Sequence, residues 1–365
     1  MESRFKDDAG WATLASLLPA EIDTWARETG ALTRMRRVGD GETLLRLALV
    51  HACGLSLRDT ASWAREQGVA QLSDVALLKR LRKLPELMNR LVQSLLPDPH
   101  TGSRMFIVDG SFVCRPTAKG TDFRLHLGWE PGGMRVVQVR LTGPKPGESL
   151  QSLPWVSGSV LVGDRAYASR AGISKARAAG IDVLVRLNLT ALPLQMPDGS
   201  RIDLLAVSRG LKVGEVLELD VATVPVQKPE VPSVPGRLIV IRKEPALAAR
   251  ERARAQREAR KKKRKLKDTT GESAEYMFLF TTLKREEAGT ATLLAAYRHR
   301  WQIEMLFKRT KSISGLDEVH ARDPDLAAVV VLARLAGILL VQKIQEAFSP
   351  WGYGMPRKAQ SMASL

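Results

Sequence analysis

Two apolar runs carry an aspartate at points where a plain strand has no use for one. RMFIVDGSFVCRP holds Asp109 between apolar residues, and SVLVGDRAY sets Asp164 directly after Val160–Val162 and Gly163. An ionised carboxylate among apolar neighbours is costly unless it is solvated, paired or bound to metal. After Asp164 the stretch SRAGISKARAAG reads as a helix. Strand, Asp, helix is the usual place for a ligand at the carboxyl edge of a sheet. Taken singly, each aspartate reads as well as an N-cap or turn residue. Taken together they constrain the chain to a sheet that brings two acids to one edge.

The surrounding pattern supplies that sheet. FRLHLGWE and MRVVQVRLTG read as strands after the first, with Pro131-Gly132-Gly133 turning between them, so three antiparallel strands are expected. DVLVRL, residues 182–187, is the next strand. Residues 1–98 have helical periodicity instead. GETLLRLALVHACG ends at Gly54, SLRDTASWAREQG starts on Ser56 as N-cap and closes at Gly68, and a helix from Ser73 runs on through SDVALLKRLRKLPELMNRLVQSLL. Short helices joined by tight turns, the last one basic, fit either a helix-turn-helix reader of DNA or a plain bundle packed on the main domain.

A third acid lies far along the chain, in YRHRWQIEMLFKRTK, residues 297–311. Successive helical residues turn by about 100°. On that count Tyr297, Arg300, Glu304 and Lys311 share an arc of about 60° on one helix face. Ile303, Leu306 and Phe307 would seat the helix on a core. A carboxylate among cations suits a site that holds a divalent metal and the phosphates beside it. A solvated face with i,i+4 ion pairs gives the same pattern.

Charge decides which partner to expect. Lys and Arg number 56 against 39 acids, for a net charge of +17 and a pI near 10.2. Such an excess points to a polyanion, most often nucleic acid. Eleven of the eighteen residues from Arg250 to Lys267 are Lys or Arg, among them Lys261, Lys262, Lys263 and Arg264. This run is a solvated, self-repelling segment or a contact to the DNA backbone, which rewards cations by counterion release. Cys53 and Cys114 sit in apolar surroundings with no ligand spacing, which fits a reducing cytoplasm. MESRFKDDAG does not read as a signal peptide, and the apolar Ala327–Val341 stretch, broken by Arg334, reads as a buried helix.

The order of these features resembles the DDE transposases of the insertion-sequence-4 family. An Asp on a first strand (Asp109, in IVDGS) precedes an Asp after a fourth strand (Asp164, in GDRAY, with Tyr167 three residues on). A helix with the Tyr-Arg-Glu-Lys spacing of Tyr297, Arg300, Glu304 and Lys311 follows. The resemblance covers residues from about 100 to about 345. It implies an α/β fold: a ribonuclease-H-like mixed sheet flanked by helices, with an N-terminal helical domain and a β-rich insertion. On this basis residues 1–98 are expected to be a helical, DNA-binding domain. Residues 99–188 and 284–348 would form the two parts of the catalytic core, 189–283 the insertion with the basic run, and 349–365 a loose tail. Within the insertion LPLQMPDGSRIDLLAV, GEVLELDVATV and GRLIVIRKE read as strands. A helix from about Glu286 would return to the core, and PDLAAVVVLARLAGILLVQKIQEAF would cover the sheet.

The resemblance also implies chemistry. Asp109 would bridge two Mg²⁺ ions, for which Mn²⁺ can substitute, with Asp164 and Glu304 each completing one side. Tyr297, Arg300 and Lys311 would grip phosphates near the element's end, and a homodimer would hold both ends and the target DNA. The site of action would be the bacterial cytoplasm, on the nucleoid. His126 reads as a packed strand histidine rather than a catalytic one. Two further readings stay open: a decayed relative that binds DNA without cutting, and a stand-alone structure-specific nuclease of the same fold.

Overall fold

Local chemistry sets the ends of the helices that open the chain. In a computed structural model, residues 8–348 are described apart from 34–36, 99–102, 117, 119, 146, 262, 264, 266, 267 and 317. Lys262, Arg264 and the expected tail after Pro350 lie outside the described residues. The first helices are α1 (Asp8–Ala15), α2 (Ile22–Glu28), α3 (Gly41–Ala52), α4 (Leu57–Glu66), α5 (Asp74–Leu81) and α6 (Pro85–Leu95). Side chains of Asp40, Ser56 and Ser73 accept the backbone N–H of Thr43, Asp59 and Ala76, capping α3, α4 and α5; each cap is worth about 1 kcal/mol. The single helix expected from Ser73 onward is two helices. Pro85 takes the first position of α6, where its missing N–H is tolerated, and the chain turns through residues 82–84.

The remaining elements are β1 (Met105–Val113), β2 (Phe123–Glu130), β3 (Arg135–Thr142), β4 (Val160–Gly163), α7 (Arg170–Ala178), β5 (Asp182–Arg186), β6 (Leu194–Gln195), β7 (Val216–Thr223), β8 (Val226–Gln227), β9 (Glu230–Val231), β10 (Pro235–Arg242), α8 (Pro245–Lys261), α9 (Asp268–Ser273), β11 (Tyr276–Thr281), α10 (Thr290–Arg298), α11 (Arg300–Ser314) and α12 (Pro324–Phe348). Nine strands form one sheet in the order β3-β2-β1-β4-β5-β11-β10-β7-β6. β1, β2 and β3 pair antiparallel, while β1, β4 and β5 run parallel. This is the ribonuclease-H-like arrangement that the resemblance implies. The β-rich stretch extends it, because β11 pairs with β5 and β10 with β11. Of the expected strand LPLQMPDGSRIDLLAV only Leu194–Gln195 is regular. Beyond it the Asp203 carboxylate accepts the N–H groups of Leu205 and Ala206, favouring a 3-10 turn over a strand.

Side chains alternate between the two faces of the sheet. Phe106, Val108, Leu161, Val183 and Phe280 pack with Ile173 and Ala176 of α7. Ile107, Leu127, Val162, Leu184 and Leu279 face the other way and join one core with α10, α11, α12 and the opening helices. α12 packs on α3 and α6 as well as on β3 and α11, so it stands between α3 and the sheet, while α6 also touches β3 directly. Its length and composition would suffice to cross a membrane, yet its apolar side chains are spent on this core. Gln342 of α12 accepts the Val136 N–H at 2.9 Å, and Gln93 of α6 donates to the Val139 carbonyl at 3.0 Å, covering backbone groups along edge strand β3.

Arg237, on β10, is buried and fixes the approach to α10. Its guanidinium donates to the carbonyls of Leu283 (2.7 Å), Lys284 (3.1 Å) and Ala288 (2.7 Å) and pairs with Glu218 at 3.2 Å. Glu218 also accepts from Thr290, the first residue of α10, and from Arg285. These bonds hold residues 283–288 as turns, so α10 starts at Thr290 and not near Glu286. The first part of the basic run is helical, as α8, with Lys261 and Lys263 exposed. Cys53 and Cys114 are exposed free thiols, and the residues just before them, Ala52 and Val113, are the buried ones.

Candidate active site

Register places the two aspartates side by side. β1 and β4 pair in parallel with Ile107 opposite Val162, and two residues further on Asp109 falls beside Asp164. Neighbouring strands are about 4.8 Å apart. Ile107 and Val162 belong to the core that includes Ile303 and Phe307 of α11. Alternation therefore turns Asp109 and Asp164 towards the same helix. The β4–β5 pairing sets Gly163 opposite Val185, so Arg186 continues the row on the far side of Asp164.

Burial raises the Asp109 carboxyl to about 7; the Gly110 N–H opposes this, the Asp164 charge adds to it, and Arg300 offsets it in part. Glu148 is a further acid that strand and helix patterns gave no means to find. It lies on the β3–β4 connection, its side chain rests over Gly110 where a Cβ would clash, and it pairs with Arg124 at 2.9 Å. Burial, then the Asp164 charge, raises its carboxyl. The Tyr167 hydroxyl is held protonated by burial first and then by Asp109, Glu148 and Asp164. His126 is fully buried on β2 with Nε2 3.2 Å from the Thr142 hydroxyl. Burial, with Arg124 and Arg140 nearby, lowers it to about 4, so it stays neutral and packed.

The third acid arrives differently from the expectation. Residues 297–311 are not one helix: α10 ends at Arg298 and α11 begins at Arg300, with His299 between them. The Gln302 N–H bonds to the His299 carbonyl at 2.9 Å, an i→i+3 contact that tightens the chain locally. Tyr297 thus sits on one helix and Arg300, Glu304 and Lys311 on the next. The break keeps Tyr297 and Arg300 together, with the guanidinium 5.8 Å from the ring centre. Arg300 pairs with Glu304 at 2.6 Å. Lys311 lies about two turns beyond Glu304, in the last turn of α11.

A family model described as a transposase DDE domain matches residues 100–340. The chain belongs to the DDE transposases. Over 353 residues it is 34% identical to the InsL protein of insertion sequence element IS186A from Escherichia coli K12, covering 93% of this chain and 95% of the relative. It is equally 34% identical, over 354 residues, to the transposase for insertion sequence element IS421 from Escherichia coli. The likeness to the insertion-sequence-4 family agrees with this membership. The transposase is a DNA-cleaving enzyme, and its family uses divalent metal ions.

Asp109 and Asp164 fit such an ion, as adjacent hard oxygen donors whose mutual repulsion a cation would relieve. Glu304 stands on the helix above them but is engaged by Arg300, and Glu148 is engaged by Arg124. Among the described residues no three His, Cys, Asp or Glu side chains are gathered to hold a metal. Register sets the two aspartates side by side, and Glu304 is paired with Arg300.

Proposed function

We propose that this transposase binds the ends of its element, cuts there and joins the freed strands to target DNA, with Asp109, Asp164 and Glu304 as the ligands of two Mg²⁺ or Mn²⁺ ions. The alignment of Asp109 with Asp164 across β1 and β4 carries the reading. When bound, the ions would activate the attacking water or 3′-hydroxyl and neutralise charge on the leaving oxygen. Asp109, on β1 between β2 and β4, is the carboxylate suited to face both ions. Arg300, Tyr297 and Lys311 orient the terminal phosphates from the helix side. Arg300 is suited to a bidentate grip and Tyr297 donates a hydrogen bond.

Residues 1–98 are assigned to DNA binding together with Lys261, Lys262, Lys263 and Arg264, whose charges would follow the phosphate backbone without reading bases. Residues 99–188 and 284–348 make up the catalytic core, 189–283 the insertion and 349–365 the tail. Two copies would pair the two ends, in the cytoplasm at the nucleoid. Asp109→Asn, Asp164→Asn and Glu304→Gln keep side-chain shape and remove charge. Each should abolish Mg²⁺-dependent cutting of duplex DNA spanning the element's border while binding stays near normal. Near-normal cutting by any one of them would remove that residue from the ligand set.

A further inference from the structure

Arg186 ends β5 beside Asp164, and its guanidinium is only partly satisfied. Nη2 donates to both carboxylate oxygens of Glu251, at 2.9 and 2.7 Å. Nε is buried and has no partner. Lys243 follows β10 at the same edge of the sheet; its ammonium donates to Glu251 at 2.7 Å and to the Ala274 carbonyl at 2.9 Å. Arg165, next to Asp164, is a third cation in this group. Its charge acts on those of Arg186, Glu251 and Asp164. The Tyr297 hydroxyl, in a residue only 8% exposed, donates to no acceptor and feels the charges of Arg300, Arg186 and Asp164.

Three cations therefore crowd around Glu251 and Asp164, and two buried donors beside them have no acceptor. Leaving a buried N–H or O–H unmade is unfavourable, and an anionic oxygen between Arg186 and Tyr297 would satisfy both. Glu251 belongs to α8, the helix that leads into the basic run. We propose that Arg186, with Arg165 and Lys243, forms a seat for a DNA phosphate on the β5 side of Asp164, and that Glu251 neutralises this seat until DNA arrives. The seat lies across Asp164 from Asp109, so a strand held there and by Arg300 would be gripped on two sides of the acids. Since Glu251 and the basic residues share one helix, phosphates drawn along α8 would compete with Glu251 for the same cations. The proposal rests on the transposase reading above.

The test measures binding of the full chain to duplex DNA spanning the element's border, across a series of KCl concentrations. Arg186→Gln should lower the slope of log affinity against log salt by about 0.9, one phosphate contact. Arg186→Lys should keep most of the slope. Glu251→Gln, which frees the cations, should tighten binding several-fold. If Arg186 and Glu251 only pin α8 to β5, both Gln variants will lower the melting temperature and leave the salt slope unchanged, and the seat is overturned. Weaker binding by Glu251→Gln at unchanged melting temperature would overturn it as well. Should Arg186→Gln not fold, Lys243→Gln is assayed on duplexes carrying single neutral methylphosphonate linkages. The seat requires one linkage whose neutralisation weakens the wild type but not this variant; the absence of such a linkage rejects it. Wild-type protein that neither binds nor cuts the duplex defeats the transposase reading itself. Wild type that does both, with the slope unchanged in Arg186→Gln, defeats the seat alone.

Discussion

The Arg300 guanidinium lies 2.6 Å from the Glu304 carboxylate, one turn along α11. In this state the arginine that would grip a phosphate and the acid that would bind a metal neutralise each other. Delivery of a phosphate to Arg300 would release Glu304 towards Asp109 and Asp164, so substrate binding and completion of the acid set become one event.

That coupling makes a prediction for Arg300→Ala. The salt slope of end binding should fall by about 0.9, and Glu304, no longer held, should bind metal without DNA more readily. Arg300→Lys should restore the slope only in part, because a point charge cannot copy a two-pronged donor. Stability should change by only about 0.5 kcal/mol, since Glu304 is nearly half exposed and solvent screens the pair. Manganese titration of the DNA-free protein, beside binding at several salt concentrations, checks both effects. A flat slope together with a large fall in melting temperature would mean that Arg300 only steadies the helix.

A second prediction concerns pH. Asp109 is raised from an ordinary value near 4 to about 7. Between those values the folded protein binds more protons than the unfolded chain, so this group's contribution to stability falls as pH rises through the interval. Asp109→Asn should remove that fall. Its melting temperature should exceed the wild type's near pH 8 and approach it near pH 5. Metal needs the ionised carboxylate, so metal affinity of the wild type should weaken as pH drops below about 7. Parallel melting curves for the two proteins across pH would refute this assignment of the titration.

Arg237 offers a third prediction, away from the acids. Arg237→Ala strips donors from three carbonyls and leaves Glu218 with Arg285 and Thr290. Breaking such a buried pair should cost about 3 kcal/mol, the lower part of the usual range because Arg285 still serves Glu218. The start of α10 should loosen first, seen as faster amide exchange at residues 288–293 than in α7. Equal protection in the variant and the wild type would show that β10 does not govern where α10 begins.

Much of the site was legible because it depends on strand period and on spacing within a helix. Asp109 and Asp164 could be assigned to strands from their apolar neighbours, and β1 to β5 follow the runs that predict them. Ser56 and Ser73 announced their caps. The break at His299 was not legible, since no Gly or Pro marks it and a single i→i+3 turn produces it. Glu148 and Arg186 were missed for another reason. Glu148 comes from an irregular connection, and Arg186 gains its meaning only from the β4–β5 register, which no local pattern encodes.

The position of α12 has a consequence for a shortened chain. This helix, the last described, supplies the shared wall between α3 and α6 on one side and β3 on the other. Without residues 324–348 the apolar faces of α3, α6 and β3 that meet this helix would lie open. A chain cut short before Pro324 would expose two apolar surfaces, and patches of that kind favour aggregation and proteolysis.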